Sequence, residues 1–127
     1  MKIALITAMW RRPKIYELFA AGVYELKYHF PDIDFQVFVA GSEGLGSRLL
    51  AEYFDHNYIE YPNQPLGIKM NAAAMLAKTF NPHYVILLGS DDIIGKSLME
   101  QYLVHMKERI GYIYTLDCYF YDTATKK

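Results

Sequence analysis

The chain is predicted to fold as an α/β domain, a three-layer sandwich around a mostly parallel, Rossmann-like sheet. Three observations predict it. Short apolar runs alternate with longer amphipathic ones along most of the sequence, the pattern of strands joined by crossover helices. Tyr84 to Leu88 is an uninterrupted apolar run, which marks a central strand buried on both faces. Polar or glycine-rich residues gather at four connections that leave strands, where open parallel sheets place their ligands.

The elements follow in order. Ile3 to Thr7 is a compact strand. A helix runs from about Pro13 to His29, opened by a proline suited to the first turn and carrying Ile15, Leu18, Phe19, Val23 and Leu26 at helical spacing. Pro31-Asp32 breaks the chain. Asp34 to Ala40 is the second strand, with Phe35, Val37 and Val39 on one face and Phe38 on the other. Gly41, Gly44 and Gly46 make a loop, and a short helix around Ser47 to Phe54 leads to a brief strand near Tyr58 to Glu60. Tyr61-Pro62-Asn63-Gln64-Pro65 is a rigid, extended connection. Leu66 to Thr79 is helical, and Ala72, Ala73, Ala74 and Ala77 allow it to pack closely on a sheet. Asn81-Pro82 ends it. After the apolar strand, Lys96 to Arg109 forms a helix with Leu98, Met99, Tyr102, Leu103 and Met106 inward. Gly111 stops it, and Tyr112 to Leu116 is expected as a further strand.

Bulk properties narrow the class of partner. The 127 residues make one domain, 1–127, long enough to bury a core. A formal charge of −1 offers no electrostatic case for nucleic acid or an anionic membrane. No apolar run approaches the roughly 18 to 20 residues that span a bilayer. The basic-then-apolar start halts at Trp10-Arg11-Arg12 without a small-residue cleavage site, so a signal peptide is not expected. The single cysteine, Cys118, allows no internal disulfide, and a reducing, cytoplasmic location is expected. Twelve tyrosines and seven phenylalanines are unusual for this length. Those near the end, Tyr112, Tyr114 and Tyr119 to Tyr121, suit either strand packing or a surface for another segment, including a homodimer contact.

The connection after Tyr84 to Leu88 is the most informative. Gly89-Ser90 is followed by two adjacent carboxylates, Asp91 and Asp92. Two anions at the lip of a buried strand repel unless a cation sits with them. A divalent ion such as manganese or magnesium, with oxygen ligands and a bound phosphate, would supply it. The alternative is that one of them caps the following helix. Pro65 to Asn71 places Gly67 at a helix mouth, where exposed amides favour anions. Lys69 could reach a diphosphate from there and Asn71 a ribose; the alternative for Lys69 is an ordinary solvated lysine. Ala8 to Pro13 carries Arg11 and Arg12, able to pair with phosphate or stack on a base, or else to be surface arginines beside a core Trp10. Ser42 and Glu43 could hydrogen-bond a base or ribose. The four histidines do not form a metal set, Cys118 has no base beside it, and no dinucleotide or P-loop glycine pattern is present.

Together these loops resemble the A-type nucleotide-sugar glycosyltransferases, most closely the large inverting group called family two. Arg11-Arg12-Pro13 is similar to that family's Asn-Arg-Pro-like turn after the first strand. Gly67, Asn71 and Ala77 match its glycine-asparagine-alanine helix. Gly89-Ser90-Asp91, continued by Asp92, stands where the family has Asp-x-Asp. The resemblance spans essentially the whole chain. It implies transfer of a sugar, with inversion, from a nucleoside-diphosphate donor such as a UDP-sugar to a hydroxyl acceptor. It also implies manganese or magnesium on Asp91 with Asp92 supporting. The donor would lie against Ala8, Arg11, Arg12, Ser42, Glu43, Gly67, Lys69, Asn71 and Ser90.

The chain departs from the family in three places. Gly89 replaces the first aspartate of Asp-x-Asp. Ala40-Gly41-Ser42-Glu43 replaces the Asp-Asp-Gly-Ser loop, with Glu43 a possible substitute. Family members carry a second half with the acceptor site and an aspartate base, which nothing after Leu116 supplies, so the chain is expected to be truncated before that half and its catalytic base is unassigned. Two other readings compete: a nucleotidyltransferase acting on a sugar phosphate, against which the glycine-free Ala8 to Pro13 loop counts, and a non-catalytic binding or assembly module with the same fold.

Overall fold

The computed structural model describes residues 1–120, 122 and 124–126. Four strands form one parallel sheet in the order β3-β2-β1-β4. They are β1 (Lys2–Met9), β2 (Asp34–Gly41), β3 (Asn57–Glu60) and β4 (Tyr84–Leu87). Helices α1 (Pro13–His29), α2 (Leu45–Tyr53), α3 (Leu66–Ala77) and α4 (Lys96–Lys107) connect and flank them, and a 3₁₀ turn at Lys78–Phe80 extends α3. The chain therefore has the Rossmann-like α/β build expected of it. Among the described residues, no helix is long and apolar enough to cross a membrane.

The strand period of two divides the core in two. Ile3, Leu5, Phe35, Val37 and Val39 cluster with Tyr16, Phe19, Val23 and Leu26 of α1, Ala51 of α2, and Met99, Leu103 and Met106 of α4. Ala4, Ile6, Phe38 and Ala40 cluster with Ala73 and Ala77 of α3. The small side chains on this second side let α3 lie close to β1 and β2, as its alanine-rich face predicts. At the end of β2, Gly41 is required by contact: the Tyr58 ring occupies the space where any side chain would start.

Two expectations need correction. Tyr84–Leu87 is not a central strand; it pairs only with β1 and forms the sheet edge. Because α3 covers β1 and β2 rather than β4, Val85 and Leu87 are 48% and 67% exposed. An apolar run suits burial on both faces, but it does not specify how many neighbours a strand has. Tyr112 to Leu116 is not a strand. It runs beside β4 without pairing, and the two border a groove of about 370 Å³. Handedness disfavours a parallel strand there. The crossover α4 packs on the same side as α1, and the free position next to β4 lies away from β1. A parallel strand there would complete a left-handed crossover, which parallel sheets almost never contain. Tyr121 of the aromatic group lies outside the described residues.

Candidate functional site

The site is built where β1 and β4 end. The chain leaves β1 towards β2 on one side, while β4 flanks β1 on the other. The carboxyl ends of these two strands therefore frame the point at which strand order reverses, the usual ligand crevice of open α/β sheets. A cleft of about 940 Å³ opens there. It is lined by Ala8, Met9, Trp10, Arg11 and Arg12 after β1, Asn63 to Leu66 and Lys69 at the start of α3, and Ser90 after β4.

The β1 loop is held in an unusual conformation. Arg11 has φ of 56°, a left-handed region that a non-glycine residue enters at a cost of about 1 kcal/mol. Its guanidinium lies over the Trp10 ring, 4.5 Å from the centroid, and its backbone N–H donates to the Glu43 carboxylate. Trp10 is accordingly not a core residue; it is 43% exposed at the cleft wall. Ser42 Oγ donates to the Tyr61 carbonyl at 2.6 Å. Ser42 and Glu43 thus brace the loops behind the cleft and do not line it.

Asp91 and Asp92 meet at Gly89. Arg12 Nη1 donates to Asp91 Oδ2 at 3.1 Å, and both side chains are about half exposed. Gly89 N–H donates to Asp92 Oδ2 at 2.8 Å, while Asp92 N–H donates to the Gly89 carbonyl at 3.1 Å. Neither aspartate caps the next helix, since α4 opens four residues later at Lys96, after Gly95, with no side-chain cap. A Cβ on residue 89 would sit 2.9 Å from both Asp91 Oδ1 and Asp92 Oδ2. Both carboxylates therefore fold back over the bare backbone of Gly89. Two converging carboxylates suit a magnesium-type ion, which takes one or two protein carboxylates and completes its shell with phosphate and water. Among the described residues, no group of three or more histidine, cysteine, aspartate or glutamate side chains converges to hold an ion by itself.

Lys69 is the site's most constrained group. It is 1% exposed, and Nζ donates to the Met9 carbonyl at 2.8 Å and to Asn63 Oδ1 at 3.0 Å. It therefore clips the β1 loop to the proline-flanked segment before α3. Burial lowers its ammonium pKa, with Glu43 and Glu60 opposing the shift. The ordinary solvated lysine is excluded.

The other sequence candidates separate. Gly67 and Asn71 lie on exposed turns of α3 and do not line the cleft. Of the acids near the end of the chain, which are not among those candidates, Asp117 is exposed, and Asp122 closes its own turn by accepting from Ala124 N–H and Thr125 Oγ1. Neither lines the cleft. Asn63 and Gln64 were not anticipated from the sequence. Their signal was a pair of amide side chains between Pro62 and Pro65, in an extended connection leaving a strand. Comparison of the chain with protein-family models, with curated proteins and with solved structures finds no match.

Proposed function

We propose that this chain is the donor-binding portion of an A-type glycosyltransferase, a three-layer sandwich that takes a nucleoside-diphosphate sugar such as a UDP-sugar. The observation that carries the reading is the cleft at the β1–β4 switch point, where Arg11, Arg12 and Lys69 face the space beside the converging Asp91 and Asp92. That combination suits a ligand bearing a diphosphate and a divalent ion. Arg11 and Trp10 together present a cation and a ring edge to a base or ribose. Ser90 borders the cleft beside the carboxylates.

Asp91, with Asp92 supporting, would hold manganese or magnesium. When bound, such an ion neutralises charge on a departing nucleoside diphosphate. The chain's own part is to fix the diphosphate with Lys69 and the arginines and to orient the sugar towards an acceptor hydroxyl, with inversion at the sugar carbon. The base for that hydroxyl is not assigned to any residue here. A cytoplasmic setting fits the reading, with Cys118 free and exposed.

Calorimetry with UDP-sugars, with and without manganese, tests the proposal. Donor affinity that rises with manganese and falls after Asp91→Ala is the expected result. No donor binding by the wild type, or equal binding by Asp91→Ala, would sink it.

A second reading has its own observation. Tyr112, Leu116, Tyr119 and Phe120 are largely exposed, an apolar surface of the kind that marks association. An assembly role through a homodimer predicts a tight, metal-independent oligomer with no nucleotide affinity.

A further inference from the structure

Lys69 carries a charge that its surroundings do not balance. An ammonium has three N–H groups, and the two hydrogen bonds it makes here go to neutral oxygens, the Met9 carbonyl and the Asn63 amide. Among the described residues, no carboxylate lies within salt-bridge distance of it. The two acids that act on it electrostatically are engaged elsewhere. Glu43 accepts the Arg11 N–H, and Glu60 accepts from Tyr58 Oη and from Gly44 N–H. Burying a cation without a counter-charge is costly unless something completes its coordination.

The cleft has the composition of an anion site. Its lining includes three cationic side chains, Arg11, Arg12 and Lys69, and no carboxylate, in a chain whose overall charge is −1. Arg12 already neutralises Asp91 at the rim and Asp92 accepts from the Gly89 N–H, which reduces the repulsion of an anion entering the cleft.

We propose that Lys69 anchors a diphosphate in this cleft without a divalent ion, so that phosphate binding does not depend on the Asp91–Asp92 pair. The inference deepens the donor reading, from which it takes the class of ligand, but its site is defined by Lys69 rather than by the carboxylates. Lys69 supplies its remaining N–H and its charge from below, and the two arginines close on the anion from the β1 loop. A planar guanidinium donates to two oxygens at once, so Arg12 can serve Asp91 or the anion.

Inorganic pyrophosphate is the probe, titrated calorimetrically into the full chain in buffer stripped of divalent ions. Wild type is expected to bind, and Lys69→Gln to bind at least tenfold more weakly. Absence of binding until manganese or magnesium is added would overturn the proposal, as would undiminished binding by folded Lys69→Gln. If Lys69→Gln does not fold, lysine side-chain NMR of the wild type decides. The Lys69 ammonium resonance must move on adding pyrophosphate and its pKa must rise; an unmoved resonance rejects the site. The two readings fail separately. Lys69-dependent pyrophosphate binding without any affinity for UDP-sugars removes the glycosyltransferase reading alone. Manganese-dependent UDP-sugar binding indifferent to Lys69→Gln removes this one alone.

Discussion

Arg12 donates to Asp91 at 3.1 Å across 79 positions of sequence, joining the loop after β1 to the loop after β4. The pair spans the switch point of the sheet and places a cation against the carboxylate proposed to hold a metal. Both side chains are about half exposed, so the bond adds little to stability, typically less than about 1 kcal/mol. Arg12→Gln should change the unfolding free energy by less than about 1 kcal/mol and weaken nucleotide affinity about tenfold. A large loss of stability in denaturation would show that the pair is a structural tie instead.

Gly89→Ala addresses the carboxylate pair from the backbone side. The added methyl would sit 2.9 Å from an oxygen of each aspartate, and those side-chain ends must swing away. Because both side chains are exposed, the fold should lose no more than about 1 kcal/mol. Manganese-stimulated donor binding should be lost, while the metal-independent part persists. Retention of full manganese dependence in calorimetry would mean the carboxylates need not converge.

The buried pair of Tyr16 and His56 predicts an acid transition. Tyr16 Oη and His56 Nδ1 lie 2.5 Å apart, between α1 and the approach to β3. Burial drives the His56 pKa down to about 4 and that of Tyr16 up. Tyr16 is therefore the donor and neutral His56 the acceptor. The unfolded chain takes up a proton on His56 below its ordinary value near 6.5, and the folded chain does not until about pH 4. Stability is fully present above pH 6.5 and falls as pH drops towards 4, by up to about 3 kcal/mol. Denaturation curves across this window should show the decline, and His56→Phe should flatten it.

Thr7 in β1 is fully buried, and Oγ1 has no hydrogen-bond partner among the described residues. An unsatisfied buried hydroxyl is destabilising relative to an apolar isostere. Thr7→Val should raise stability by about 1 kcal/mol in thermal or urea unfolding. A decrease would mean that the hydroxyl has a partner, such as ordered water.

Much of the fold was legible in the sequence because its determinants are local. Pro13 and the apolar spacing through Leu26 specify α1, and the observed helix spans Pro13–His29 as expected. The alternation of Phe35, Val37 and Val39 against Phe38 assigns the faces of β2, and the two core clusters divide them in that way. The glycine-then-aspartate turn after β4 marks Asp91 and Asp92, and Arg11 and Arg12 stand beside a first-strand exit. Local chemistry of this kind needs no knowledge of neighbours.

Tertiary structure decided the rest. Strand order made Tyr84–Leu87 an edge, although its apolar run reads the same at an edge as at the centre. Chain handedness disfavours Tyr112 to Leu116 as a parallel strand beside β4, a constraint that arises only once α4 is known to share a side with α1. Lys69 looks like any helix-start lysine until α3 settles on β1 and brings Met9 and Asn63 to its ammonium. The sequence by itself determined which elements form and which loops carry charge. Packing determined which of those charges face one another, because burial and distance are properties of the assembled layers and not of the residues alone.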